Sequence, residues 1–211
     1  MSSVFDFFLE PYLNRALFLI VLEAIAFVFG IASVIYAKRE NILVYPSGLV
    51  ATLISVYIFL KDELMGDMMM NFYYSVMSIY GWWNWSRKNE DKYVVPISRT
   101  DSKEKIVGLG MFLLTILVTY LVYKGYGTEI TASNYIDIFT SGVFFTAMWF
   151  MANKKLENWT LWIFADVITV PLYAYRGWGM LSLQYLIFTV LAFQGYVVWK
   201  KSVNNMRYNL Q

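Results

Sequence analysis

Residues 16–37 read ALFLIVLEAIAFVFGIASVIYA, an apolar run with one ionisable side chain, Glu23, bounded by Arg15 on one side and by Lys38 and Arg39 on the other. An α-helix rises about 1.5 Å per residue and the hydrocarbon core of a bilayer is about 30 Å thick, so a run of this length reads as a membrane-spanning helix. Working outward, six further stretches have the same character: 42–60 (ILVYPSGLVATLISVYIFL), 66–85 (GDMMMNFYYSVMSIYGWWNW), 105–124 (KIVGLGMFLLTILVTYLVYK), 134–151 (NYIDIFTSGVFFTAMWFM), 157–175 (ENWTLWIFADVITVPLYAY) and 180–199 (MLSLQYLIFTVLAFQGYVVW). Helices satisfy every backbone group internally in lipid, and these runs are too long and too continuous for barrel strands with their alternating pattern. The expected fold class is an all-α polytopic membrane protein of seven transmembrane helices.

Composition narrows the function classes. The chain is 59% hydrophobic and 15% charged, against about 25% charged in a soluble domain, too little charge to coat a globule in water. It has no His and no Cys, which removes disulfide frameworks, thiol nucleophiles, zinc-finger spacings and the commonest general base. No metal and no cofactor is expected. A membrane-embedded enzyme would need a nucleophile or a ligand set that this chain lacks. With a net charge of +2 and no basic cluster interleaved with aromatics, no nucleic-acid footprint is present.

Charge position gives the expected topology. Of the 17 Lys and Arg residues, Arg15, Lys61, Lys124 and Arg176 fall on one side of the seven spans, and the other 13 fall on the opposite side. The positive-inside rule then puts the N-terminus outside and the C-terminus in the cytoplasm of a plasma (inner) membrane. The expected organisation is an N-terminal interfacial segment at 1–15, with no small-residue cleavage site after it, and a first three-helix unit at 16–85. A cytoplasmic linker at 86–104, a central helix at 105–124, a second three-helix unit at 134–199 and a cytoplasmic tail at 200–211 complete it.

The two units resemble each other. Lys38–Tyr45 runs parallel to Lys154–Trp162 with its Glu-Asn pair at an offset of 117, Tyr80–Trp85 lies against Gln194–Trp199 at an offset of 114, and Glu23 meets Asp137. A single intervening helix lets both triplets cross in the same direction, a transporter plan with the substrate between the repeats.

Ionisable groups in hydrocarbon are costly, so those retained face a cavity or a partner. Candidates are Glu23, Asp67, Asp137 and Asp166, with the amides Asn71, Asn84, Asn158 and Gln184. Trp159, Trp162, Asp166, Thr169 and Tyr173 follow helical steps of 3, 4, 3 and 4, and Asn71, Tyr74, Ser78, Trp82 and Trp85 follow 3, 4, 4 and 3, so each set shares one face. The alternative for Trp83 and Trp85 is an interfacial anchor. Aromatic walls with amides and a carboxylate suit a flat, cationic, hydroxylated molecule. The spans hold no interior Lys or Arg, so a phosphorylated ligand would lack a counter-charge.

Together the segments Asn71–Trp85, Glu157–Asp166, Pro171–Tyr173 and Tyr175–Gly177 resemble the PnuC-type nicotinamide riboside transporters, and the resemblance covers about residues 16–200. It implies a SWEET-like 3+1+3 bundle, homotrimers, and uptake of a small dephosphorylated vitamin or precursor across the lipid bilayer by facilitated diffusion. It also implies trapping of the substrate by a cytoplasmic kinase. The family's two-tryptophan binding motif falls on Trp159 and Trp162, and its third-span motif on Trp82 and Trp85. Asn71 stands where many members carry Gln, which bears on the choice between nicotinamide riboside and thiamine, both hydroxylated aromatic cations. The expected substrate-binding set is Asn71, Tyr74, Trp82, Trp85, Asn158, Trp159, Trp162, Asp166, Thr169, Tyr173 and Gln184. A third class, a structural or partner-binding subunit, would leave the buried polar faces without a purpose.

Overall fold

The computed structural model describes residues 7–8, 10–62, 65–89, 92–93, 95–125 and 130–208. After a 3-10 turn at Glu10–Tyr12 come α1 (Leu17–Lys38), α2 (Val44–Lys61) and α3 (Met65–Ser86), then a two-residue hairpin, β1 (Lys88–Asn89) with β2 (Lys92–Tyr93). The second half holds α4 (Ser102–Gly125), α5 (Ala132–Ala152), α6 (Glu157–Tyr175) and α7 (Gly179–Tyr208). Among the described residues, α1, α2, α4, α5 and α7 are long and apolar enough to cross a membrane. Helices α3 and α6 have 22 and 19 residues, enough to span, and fall short in hydropathy because they carry Asp67, Asn71, Asn84, Asn158 and Asp166. The two polar helices are the two with the candidate residues.

Two expected boundaries move. Helix α7 runs on to Tyr208, so most of the segment expected as a tail continues the last helix. The linker is no free loop. Ser98 pairs with the chain at Lys154 and Leu156 through backbone bonds of 3.1 and 2.8 Å, and the Lys155 ammonium lies 2.7 Å from Glu104. Part of the N-terminal interfacial segment, residues 1–6 and 9, lies outside the described residues.

Packing runs α1 on α2 on α3 and α5 on α6 on α7; α4 lies on α5, and the halves meet where α7 touches α1 and α3 touches α5. Leu109, Leu113, Leu117 and Leu121 of α4 are exposed, an apolar stripe of the kind that faces lipid. The connections after α1, α3 and α5 sit at one end of the bundle, here called the linker end, and those after α2, α4 and α6 at the far end.

Local features recur 114 residues apart. Helices α1 and α5 both end in Schellman turns: Asn41 N–H reaches Tyr36 O and Lys155 N–H reaches Phe150 O, both at 2.9 Å. The indole of Trp85 donates to Ala152 O at 3.2 Å, and the indole of Trp199 to Ala37 O at 3.1 Å. Tyr45 stands edge-on to Trp85 at 5.1 Å, and Trp159 edge-on to Trp199 at 5.5 Å. The offset of 117 expected for Lys38–Tyr45 is therefore displaced to 114, because matching turns align Glu40 with Lys154 and not with Glu157. At the far end Arg15 lies 2.6 Å from Asp62 and 3.7 Å from Glu23, and Arg176 lies 3.7 Å from Asp137. Tyr12 donates to Glu23 and Tyr123 to Asp137; burial, then the Glu23 hydrogen bond, push the Tyr12 hydroxyl above its ordinary pKa.

Ring-on-glycine contacts set the helix spacing at the linker end. A Cβ added at Gly81 would come within 2.3 Å of the Tyr45 ring, and one at Gly195 within 2.7 Å of Trp159. Gly81→Ala is therefore expected to destabilise the purified protein by about 1–3 kcal/mol through overpacking. Gly110→Ala, with nothing within 4 Å, should leave the melting temperature equal or higher through helix propensity. Thermal unfolding in detergent checks both.

Candidate functional site

Helix α6 presents Asp166 one turn beyond Trp162, with Tyr173 two turns further on. Asp166 is 1% exposed, and neither carboxylate oxygen has a hydrogen-bond partner among the described residues. Around it stands a ring of aromatics. Trp162 meets Tyr74 at 6.1 Å and Phe144 at 5.4 Å; Phe144 meets Tyr185 at 5.8 Å, and Tyr185 stands edge-on to Tyr173 at 5.2 Å. The hydroxyls of Tyr74 and Tyr185 lie within electrostatic reach of the Asp166 carboxylate. The ring draws on α3, α5, α6 and α7, both halves of the chain. Toward the far end, the Tyr173 hydroxyl faces the Asp67 carboxylate.

Such a site can hold a cation by its charge and a flat ring by its walls. A buried carboxylate without donors carries a large desolvation cost that a cationic ligand offsets. Indole and phenol faces attract the same cation. Two apolar grooves elsewhere, one lined by Phe112, Phe139 and Phe164 and one by Ile163, Phe164 and Phe193, open on the outside of the bundle.

Of the expected set, Tyr74, Trp162, Asp166, Thr169 and Tyr173 come together here; the Thr169 hydroxyl bonds back to Ala165 O at 2.9 Å. Asn71 lies on α3 between Asp67 and Tyr74 and donates to Asp67 O at 2.9 Å. Gln184 turns toward α1, its amide nitrogen 3.2 Å from where a Cβ on Gly30 would stand.

Four expected residues belong elsewhere. Trp82 is 41% exposed: the buried line of α3 runs through Ser78, Gly81 and Trp85, and Trp82 lies about 100° round the helix from Gly81. Trp85 and Trp159 are 2% exposed in the aromatic layer with Tyr45 and Trp199 at the linker end. Asn158 is fully buried at the start of α6, donating to Lys155 O. The steps of 3 and 4 place Trp159 and Tyr173 on one face, but a rise of about 1.5 Å per residue separates them by roughly 21 Å, so they cannot line one small pocket. Two members, Phe144 and Tyr185, were missed. Their only signal was an aromatic at a helix position with nothing polar to mark it.

Seven packed helices, mostly of spanning length and apolarity, with a carboxylate and aromatics turned inward, define a multi-pass membrane protein with an internal candidate site. Residues 20–201 match the family model described as nicotinamide mononucleotide transporter. The chain belongs to that family. It is 26% identical over 204 residues to the protein of Escherichia coli (strain K12) named nicotinamide riboside transporter PnuC, covering 86% of this chain and 85% of that one. A protein of the same name from Neisseria mucosa is 25% identical over 196 residues, covering 86% and 73%. The crystal structure of the vitamin B3 transporter PnuC superposes with a TM-score of 0.70 at 22% identity, covering 88% of this chain and 83% of that one, which supports the helical architecture.

The assignments of Trp85 and Trp159 to packing predict a separation of effects. Trp85→Ala and Trp159→Ala should each cost about 3–5 kcal/mol of stability, as large-to-small changes in a packed core do, whereas Trp82→Ala should cost under about 0.5 kcal/mol. Comparison of thermal midpoints in detergent checks the contrast.

Proposed function

We propose that this chain takes up nicotinamide riboside by facilitated diffusion, with intracellular phosphorylation trapping the substrate, and that Asp166 pairs with the ligand's cationic ring. The observation that carries this reading is the unpartnered, buried Asp166 carboxylate inside the ring of Tyr74, Phe144, Trp162, Tyr173 and Tyr185. Helices α3, α5 and α6 contain no Lys or Arg, so the dephosphorylated riboside fits better than a mononucleotide. Thiamine, also a hydroxylated aromatic cation, is the second reading, favoured by Asn71 beside Tyr74 on the same face of α3. The chain acts as a carrier and not as an enzyme.

The architecture we propose is two parallel triplets, α1–α3 and α5–α7, joined by α4 and related by an axis along the membrane normal. Support comes from the packing pattern among these six helices, which is unchanged when α1, α2 and α3 are exchanged for α5, α6 and α7, and from the features repeated at 114 residues. Helices α3 and α6 cross the membrane with the other five, their polar faces turned inward. The linker end, which carries 13 of the 17 basic residues, is cytoplasmic. The exposed apolar stripe of α4 suits both lipid and the contacts of a homotrimer.

Asp166→Asn should weaken binding of nicotinamide riboside by about 10- to 100-fold, the worth of a charge-assisted contact. It should also raise the melting temperature of the ligand-free protein, because it removes an uncompensated buried charge. Trp162→Ala should weaken binding roughly tenfold through loss of a cation-stacking wall. Calorimetry on purified protein with nicotinamide riboside and thiamine side by side measures both and ranks the substrates. Unchanged affinity for both vitamins in both variants would remove the site assignment.

Energy coupling has its own expected outcome. Glu23 and Asp137 are held by Arg15 and Arg176 and by tyrosine hydroxyls, Asp67 faces the Tyr173 hydroxyl near the start of α3, and Asp166 is reserved for the ligand, so none of the four is expected to carry a coupling proton. In sealed proteoliposomes, counterflow of labelled substrate should run at the same rate with or without a pH or sodium gradient. Accumulation driven by either gradient would show ion coupling.

A further inference from the structure

Glu40 and Lys154 are 114 positions apart and hydrogen-bonded, with the ammonium 2.6 Å from the carboxylate. The same offset relates the indole donors Trp85 and Trp199, the ring-on-glycine contacts and the Schellman turns of the two halves. Glu40 and Lys154 are thus equivalent positions, each the residue after the helix cap in its turn, and they touch. Two positions exchanged by a twofold rotation can touch each other only at the axis. On the two-triplet reading above, that axis is also the route of the substrate between the triplets.

Three observations mark the pair as more than a surface contact. Both residues hold left-handed backbones, Glu40 at φ 54° and Lys154 at φ 51°, where glycine is the usual occupant. A strained backbone kept for a side chain points to a use for that side chain. Lys154 is 3% exposed, and its ammonium also lies over the Trp85 ring at 4.6 Å. Flanking the pair, the indoles of Trp85 and Trp199 each cross from one half to the other to bond carbonyls in the last turns of α5 and α1, and Asn84 adds a 2.9 Å bond to Ala152 O. The amide of Gln194 takes a further bond from Lys38 across the α1–α7 contact at 2.7 Å.

We propose that Glu40 and Lys154 form the cytoplasmic gate of the transport path, a charge pair on the pseudo-twofold axis that must separate for substrate to leave. Identical residues at an axis would place like charges together, so the gate requires the two halves to differ at this position. The layer of Tyr45, Trp85, Trp159 and Trp199 seals the space around the pair, and the indole bonds, which join the halves, break together with the charge pair when the triplets part. The ring around Asp166 then holds the ligand above a closed floor.

The test uses the absence of cysteine from the chain. Thr169→Cys places a single thiol beside Asp166, and a membrane-impermeant maleimide reports its accessibility from each face of oriented vesicles without any substrate. In this background Glu40→Gln, Lys154→Met and the double variant should each raise labelling from the face bearing the C-terminus about fivefold to tenfold. The double variant should exceed neither single variant, because either loss opens the same gate. Glu40 is 39% exposed at its side chain, so Glu40→Gln carries the test if Lys154→Met fails to fold. Unchanged labelling, a rise confined to the opposite face, or increments that multiply in the double variant would overturn the proposal. Because no ligand enters the assay, failure of nicotinamide riboside to bind in calorimetry would sink the substrate reading and leave this result standing.

Discussion

Hydrocarbon cannot solvate a carboxylate, and that single constraint orients the molecule around Asp166. To keep this group off the lipid, α6 must turn the Trp162–Tyr173 face inward. Helix α5 then packs on one side of α6 and α7 on the other, and α3 reaches the site by lying on α5. The aromatics that line the face belong to all four helices. Their rings supply apolar surface to the bundle and, at the same time, faces that attract positive charge. Asp166 is stable there only at a cost, which supports the proposed pairing with a ligand's charge.

The two ends of the bundle are held by different physics. At the far end, arginines pair with carboxylates, Arg15 with Asp62 and Glu23, Arg176 with Asp137. These pairs are partly exposed and individually weak. At the linker end the pairs of Lys154 with Glu40 and Lys155 with Glu104 stand beside contacts of ring on glycine and indole on carbonyl that are buried and shape-dependent. Close packing of this kind has discrete arrangements and resists gradual deformation. A protein that alternates between two arrangements needs one such seal, and it needs the seal where the halves meet.

Much of this was legible in the sequence, and the failures have physical causes. The seven helices match the seven expected runs closely, since length and apolarity are local properties. The helical face of Trp162, Asp166, Thr169 and Tyr173 also held. Trp82 did not, because Gly81 and not its bulky neighbour occupies the buried line against Tyr45. Trp85 and Trp159 were read as pocket walls from aromaticity and face alone, properties that do not encode depth along the axis. The halves were matched in the turn after α1 by a shared Glu-Asn pair, whereas the backbone matches three residues earlier. Residue identity misled there and turn geometry did not.

What the sequence determined by itself was membrane residence, helix number and the inward polar faces of α3 and α6, because each follows from local hydropathy, period and residue chemistry. Only the tertiary structure decided which aromatics surround Asp166 and which seal the linker end. It alone brought Phe144 and Tyr185 to the site and set Glu40 against Lys154. Those facts depend on how seven helices pack at distances of a few ångströms across more than a hundred residues of chain, and no local pattern carries that information.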